Sequence, residues 1–233
     1  MILQFELEKY YWEMIMKEPY YQYKDIIIYN DDCMNILREL PDKSFDLIIT
    51  DPPYGIGIDY GVYQDTQDNL LELIKNVMPE MLRVAKTVVI TCGVLNIQFY
   101  PAPTWIMAWV IPAGTGRNAW GFSCWQPILC YGNDPYLARG LGARPDIIID
   151  NSTRDNSTYI THPVQKPLIF WEKLIKRASL DDSDTILDPF MGSGTTLVAA
   201  KLLGKRAIGI EINEKYCNIA KQRLSQEVLN LNP

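Results

Sequence analysis

An open α/β sheet, mostly parallel and covered by helices on both faces, is the fold this sequence predicts. Two observations carry that expectation. Short β-branched runs alternate with helical patterns along the chain, and a strand–glycine turn–helix–strand unit stands intact near the C-terminus. At 233 residues, one domain with one substantial core is expected.

The first strand is expected at Asp25–Tyr29 (DIIIY), followed by a helix over Cys33–Leu40. A buried-looking strand, Phe45–Thr50 (FDLIIT), comes next, then a long helical pattern over Asn69–Val84 and a strand at Thr87–Thr91. Trp105–Ile111 and Ile128–Tyr131 lack a helical stretch between them. They are expected to pair as an antiparallel hairpin at the sheet edge, joined by the Gly-rich loop Pro112–Gly121. Residues Asn133–Thr161 have little periodicity and are read as an irregular surface segment inside the domain. A helix over Pro167–Ser179, a strand at Asp184–Leu187, a helix over Thr195–Leu203, a strand at Arg206–Ile210 and a helix over Glu214–Val228 complete the pattern. Residues 1–24, aromatic and charged, read as an added N-terminal helical arm or a surface for a partner, with residues 25–233 as the main domain.

Composition excludes several classes. A hydrophobic share of 48% with 21% charged residues is that of an ordinary soluble domain. No apolar run reaches the roughly 18–20 residues needed to span a bilayer, so no membrane partner is expected. Five scattered cysteines without CxxC pairing, and His162 as the only histidine, argue against a structural metal; reduced thiols in a cytoplasm are the natural reading. The net charge of −6 speaks against a polyanionic partner, yet the acids cluster. Residues 1–65 hold 13 acids and 5 bases, a net of −8, which leaves +2 for the remainder.

DTILDPFMGSGTTLVAAKLLGKRAIGIEIN is the strand–turn–helix–strand unit. Gly192 and Gly194 let the backbone turn sharply and approach a ligand, and the amides opening the next helix face that ligand. Glu211, 23 residues after Asp188 at the end of the following strand, suits the two hydroxyls of a ribose. A dinucleotide is disfavoured, because Leu197 stands where the third glycine of GxGxxG would fall. Taken alone, the glycine turn also fits a purely packing role.

Asp51-Pro52-Pro53-Tyr54 follows the FDLIIT strand directly, which places it at a carboxyl end of the sheet. An amino group on a heteroaromatic ring is a poor nucleophile, because its lone pair is delocalised into the ring. Two acceptors held on its hydrogens favour a pyramidal nitrogen and free that lone pair. The Asp51 carboxylate and the Pro52 carbonyl, aimed by two prolines of fixed φ, suit this task. Tyr54 offers a flat face for stacking a base, worth roughly 1–3 kcal/mol. In isolation the same tetrapeptide reads as a proline-rich strand cap.

DPPY followed downstream by DPFMGSGTT resembles the amino-methyltransferases of nucleic acids, the N6-adenine/N4-cytosine family, in the motif order of its beta group. YNDDCMNILRELPDKSFDLIITDPPY and THPVQKP agree with the same group, and most of residues 25–227 are covered. The resemblance implies a Rossmann-like methyltransferase fold with a seven-stranded sheet, and S-adenosyl-L-methionine as cofactor. It implies transfer to the exocyclic amino group of adenine in DNA, with N4-cytosine and an inactive cofactor-binding subunit as alternatives. Methylation of RNA or of a protein amide is a more distant one. Carried over by position, Asp51, Pro52, Pro53 and Tyr54 would be catalytic. Asp188, Phe190, Gly192, Gly194 and Thr195 would form the cofactor loop, Glu211 the ribose clamp and Asp32 an adenine-side contact. His162, Gln165 and Lys166 would sit by the methionine end. Cys33 and Cys217 read as small buried hydrophobes, since no attack on a ring carbon is required. Two departures stand out. Asp31 occupies a place where the pattern usually has glycine, and the region available for target recognition is short. The loop AGTGRNAWGF, with Arg117, Trp120 and Phe122, reads either as a nucleic-acid contact or as simple loop packing. A homodimer through the N-terminal arm would enlarge the surface open to DNA.

Overall fold

A computed structural model of the chain describes residues 18–112, 114, 116–149 and 166–226. Strands β1 (Tyr21–Tyr23), β2 (Ile26–Asn30), β3 (Phe45–Thr50), β4 (Ala85–Thr91) and β5 (Trp105–Val110) come first. They are followed by β6 (Gly116–Asn118), β7 (Gly121–Ser123), β8 (Trp125–Tyr131), β9 (Ile147–Ile149), β10 (Thr185–Asp188) and β11 (Arg206–Glu211). The helices are α1 (Cys33–Leu37), α2 (Gln67–Val84), α3 (Pro135–Ala138), α4 (Leu168–Ala178), α5 (Thr195–Leu202) and α6 (Glu214–Ser225). The main sheet has nine strands in the order β1-β2-β11-β10-β3-β4-β8-β5-β9. Its middle, from β2 to β4, is parallel, whereas β8 runs antiparallel to both of its neighbours and β1 antiparallel to β2.

The alternation of side chains along each strand divides the core in two. Leu47, Ile49, Val89 and Ile186 pack on one face beneath Phe170, Leu174, Ala199 and Cys217 of α4, α5 and α6. Ile48, Val88, Ile90 and Leu187 pack on the other, against Leu37 of α1 and Leu70, Ile74 and Met81 of α2. A strand with apolar residues on both faces buries both, which is why FDLIIT, apart from Asp46, and TVVIT lie in the interior of the sheet.

The seven expected strands are present, and two more correct the count. β1, at the end of the expected N-terminal arm, pairs with β2; residues 1–17 of that arm lie outside the described residues. β9 arises within the segment expected to be irregular and pairs parallel with β5, so it covers the outer side of the expected hairpin. Three residues carry too short a pattern to announce a strand; the open edge of β5 supplies the pairing. The hairpin itself forms, with Val110 opposite Trp125, and its joining loop contains a small sheet of its own, β6 paired with β7. No helix among the described residues is long and apolar enough to cross a membrane.

Candidate active site

β10 and β3 lie side by side and parallel at the centre of the sheet, and their onward connections lead to opposite sides, β10 to β11 and β3 to β4. Such a switch point opens a crevice at the carboxyl ends of the strands. The Asp51–Tyr54 turn leaves β3 there, and the glycine turn leaves β10 beside it. One pocket is lined by Asp32, Asp51, Pro52, Pro53, Tyr54, Lys166, Asp188, Phe190, Gly192, Thr195 and Glu211 together. Segments more than a hundred residues apart in sequence meet in it. Gly194 is not among the lining residues, and His162 and Gln165 lie outside the described residues.

On the glycine-turn side, Asp188 is buried and its Oδ1 accepts from the Thr50 hydroxyl at 2.6 Å and the Phe190 amide at 3.1 Å. Burial pushes its pKa up to about 6, against the hydrogen bonds from Thr50, Thr196 and Phe190 that favour the charged form. Glu211 closes the turn: Oε2 accepts from the Gly192 amide at 3.1 Å and Oε1 from the Asn213 amide at 2.8 Å. Burial raises this carboxyl to about 7, although both amides oppose the shift. Gly192 has φ +52, and a Cβ there would meet no atom within 4 Å, so the space beside it is open for a ligand. Gly194, with φ +77, is different in kind. A Cβ there would stand 2.7 Å from the Ala220 Cβ, so this glycine serves the close approach of α5 and α6. The Thr195 hydroxyl accepts from Arg223 at 2.9 Å. Asp32 caps α1, its Oδ1 accepting from the Met34 amide at 2.9 Å. Asp31 needs no glycine-like backbone: its Oδ1 accepts from the Asp32 amide and the Asn35 side chain, both at 2.8 Å, and its φ is not positive.

On the other side, the two oxygens of Asp51 are used differently. Oδ1 accepts from the Thr91 hydroxyl at 2.6 Å and the Tyr54 hydroxyl at 2.7 Å. Oδ2 accepts from the Lys166 ammonium, which also donates to the Tyr54 hydroxyl at 2.9 Å and stands 5.0 Å from the centroid of that ring. The structure thus directs Lys166 to the DPPY turn. Burial, with the Asp51 charge adding to it, holds the Tyr54 phenol well above its ordinary pKa, so it stays a donor. Acids on the lining, Asp31, Asp32, Asp51, Asp188 and Glu211, suit a cationic ligand that also carries hydroxyl groups.

The DNA methylase family profile matches residues 117–222. Type II methyltransferase M.HpaI of Haemophilus parainfluenzae is 32% identical over 234 residues, spanning 84% of this chain and 73% of the relative. The chain belongs to the N6-adenine/N4-cytosine DNA methyltransferase family. DNA adenine methyltransferase YhdJ of Escherichia coli is 27% identical over 84% of this chain and 82% of its own length. The crystal structure of the M1.HpyAVI–SAM complex superposes with a TM-score of 0.64 at 28% identity, covering 86% of this chain and 100% of that one. Membership makes this chain an S-adenosylmethionine-dependent DNA amino-methyltransferase, and the donor set of the pocket fits that cofactor: Glu211 for its hydroxyls and a ring of carboxylates for its sulfonium charge.

Four polar residues of this methyltransferase were not legible as site residues. Thr50 and Thr91 are fully buried and hold Asp188 and Asp51 respectively. Asn96 donates to the Tyr54 carbonyl at 2.8 Å. Asp65 is buried and accepts from the amides of Gly55 at 2.6 Å, Ile56 at 3.1 Å and Ile58 at 3.0 Å, shaping the loop that walls the pocket. The thiols of Cys33, Cys92 and Cys217 are each pushed up to about 12 by burial, which leaves them protonated and inert.

Proposed function

We propose that this methyltransferase acts on N6 of adenine in DNA, with Asp51, Pro52, Pro53 and Tyr54 as its catalytic turn. The carrying observation is that Asp51 Oδ2 receives an N–H donor, the Lys166 ammonium, in the same pocket that Glu211 and Gly192 line. A base amino group presented there finds an acceptor already oriented from behind by Thr91. Bound S-adenosylmethionine supplies an electrophilic methyl carbon. The chain's residues supply the rest: Tyr54 stacks the extruded base, Asp51 and the Pro52 carbonyl hold the amino hydrogens, and Asp51 balances the positive charge that develops on nitrogen. Asp32, Phe190, Gly192, Thr195 and Glu211 bind the cofactor, with Asp188 and Gly194 keeping the loop in shape. His162 and Gln165 are assigned to the methionine end, whereas Lys166, expected there, is engaged by Asp51 and Tyr54. An aspartate at the head of the tetrapeptide favours adenine over N4 of cytosine.

Nucleoside mass spectrometry of unmodified DNA treated with protein and cofactor tests the assignment. N6-methyladenine is expected; N4-methylcytosine alone would reverse the choice of base. Asp51→Ala is expected to lower methyl transfer by about a hundredfold or more while cofactor affinity is retained. Substantial activity in that variant overturns the role of Asp51. We also assign residues 25–233 to the catalytic domain and residues 1–24 to an arm that supports a homodimer; light scattering with and without the arm tests the latter.

A further inference from the structure

On the side of the sheet where the site opens, one element carries its aromatic rings in solvent. β8 pairs antiparallel with β4, Ile128 opposite Thr91, so the start of β8 lies beyond the carboxyl end of β4, where Thr91 holds Asp51. β5 pairs with β8 so that Val110 faces Trp125. The open end of this strand pair is therefore on the active-site side of the sheet, and the β6–β7 hairpin leaves from it. At the hairpin's turn Trp120 is 100% exposed and Phe122 68% exposed. Arg117 faces Phe122 across the two strands, with its guanidinium 5.7 Å from the ring centroid.

Charge singles out the same region. The chain carries −6 overall, yet no aspartate or glutamate occurs between Glu80 and Asp134; Arg83 and Lys86 in that stretch are paired with Asp42, Glu80 and Asp46 near the amino end of β4, which leaves Arg117 at the hairpin. A polyanion is repelled least where acids are missing, and the hairpin segment, residues 116–123, carries Arg117 and no acid. Flat rings beside a guanidinium are the chemistry that meets unstacked bases next to a phosphate.

We propose that the β6–β7 hairpin is a wedge for duplex DNA: Trp120 and Phe122 stack on the bases exposed when the target nucleotide leaves the helix, and Arg117 takes an adjacent phosphate. This rests on the DNA-methylation reading above. It also answers how a chain with a short recognition segment and a negative charge holds an opened duplex, because the contact is local and made largely by stacking.

The test uses the full chain and unmodified genomic DNA fragments. Filter binding in the presence of S-adenosylhomocysteine gives affinity, and tritiated S-adenosylmethionine gives transfer to the same DNA. The double variant Trp120→Ala with Phe122→Ala is expected to bind duplex about tenfold or more weakly, and to transfer correspondingly more slowly. Its affinity for S-adenosylmethionine should stay at the wild-type value, which also shows that it is folded. Trp120→Phe, retaining a flat ring, is expected to bind more tightly than Trp120→Ala. A double variant that binds and methylates duplex like the wild type overturns the wedge, as does equal weakening by Trp120→Phe and Trp120→Ala. A wild-type chain that transfers no methyl group to any DNA overturns the underlying reading instead, so the two failures are told apart.

Discussion

Asp51 works with two unequal oxygens. Oδ1 is held by the hydroxyls of Thr91 and Tyr54, while Oδ2 faces the pocket and accepts from the Lys166 ammonium, the N–H donor that a base amino group would replace. Thr91→Val removes one hydroxyl while keeping the shape of a buried side chain. A hydrogen bond to a charged group contributes roughly 1.5–3 kcal/mol, so kcat is expected to fall by about tenfold or more. Cofactor KM should hardly change, and Thr91→Ser should recover the loss; an unchanged kcat in the valine variant would remove Thr91 from the mechanism. Glu211 makes a second prediction at this scale. Its carboxyl sits at about 7, and ribose hydroxyls donate best to the ionised form. Cofactor affinity is therefore expected to rise as pH climbs through about 7 and then level off, with proton release on binding near neutrality. Isothermal titration in buffers of different ionisation enthalpy measures both effects, and Glu211→Gln should flatten the profile.

At the scale of elements, the glycine turn separates two roles that the GxG pattern merges. Gly194→Ala forces a Cβ to within 2.7 Å of Ala220 at φ +77, so it is expected to cost about 2 kcal/mol or more in denaturant unfolding. Gly192→Ala meets open space, and its expected effect is a loss of cofactor affinity with a smaller change in stability. The reverse ranking would contradict the packing role of Gly194. The loop behind the DPPY turn depends on Asp65, whose carboxylate serves three amides. Asp65→Ala leaves those amides without their acceptor at about 1–3 kcal/mol for each group that stays buried. Faster proteolysis within residues 55–64 and weaker substrate binding are expected. Strands with apolar residues on both faces and a glycine turn between strand and helix are local patterns, legible from adjacent residues alone. Asp65 looks like any surface acid in sequence, and Thr50 and Thr91 like ordinary strand threonines; their partners lie in other segments, so no local pattern marks them.

Over the whole molecule, the Thr50–Asp188 hydrogen bond joins the catalytic strand to the cofactor strand inside the core. Two carboxyls with raised pKa values line the same pocket, Asp188 at about 6 and Glu211 at about 7. Both are raised above their unfolded values, so their contribution to stability is fully present below about pH 4 and is lost as pH rises through 6 and 7. Ligand-free protein should accordingly lose thermal stability between those limits. Saturation with S-adenosylmethionine at about 100 times Kd should restore about 2.7 kcal/mol, read as a rise of several degrees in Tm.

The order of strands and helices, the two turns and the chemistry suited to each were determined by the sequence itself, because backbone geometry and side-chain type at adjacent positions are enough to define them. The meeting of those turns in one crevice, the extra edge strands β1 and β9, the buried hydroxyls behind Asp51 and Asp188, and the placing of the aromatic hairpin on the same side of the sheet were decided only by the tertiary structure. Each depends on pairing between residues far apart in the chain, and the energy of such pairing belongs to neither segment alone.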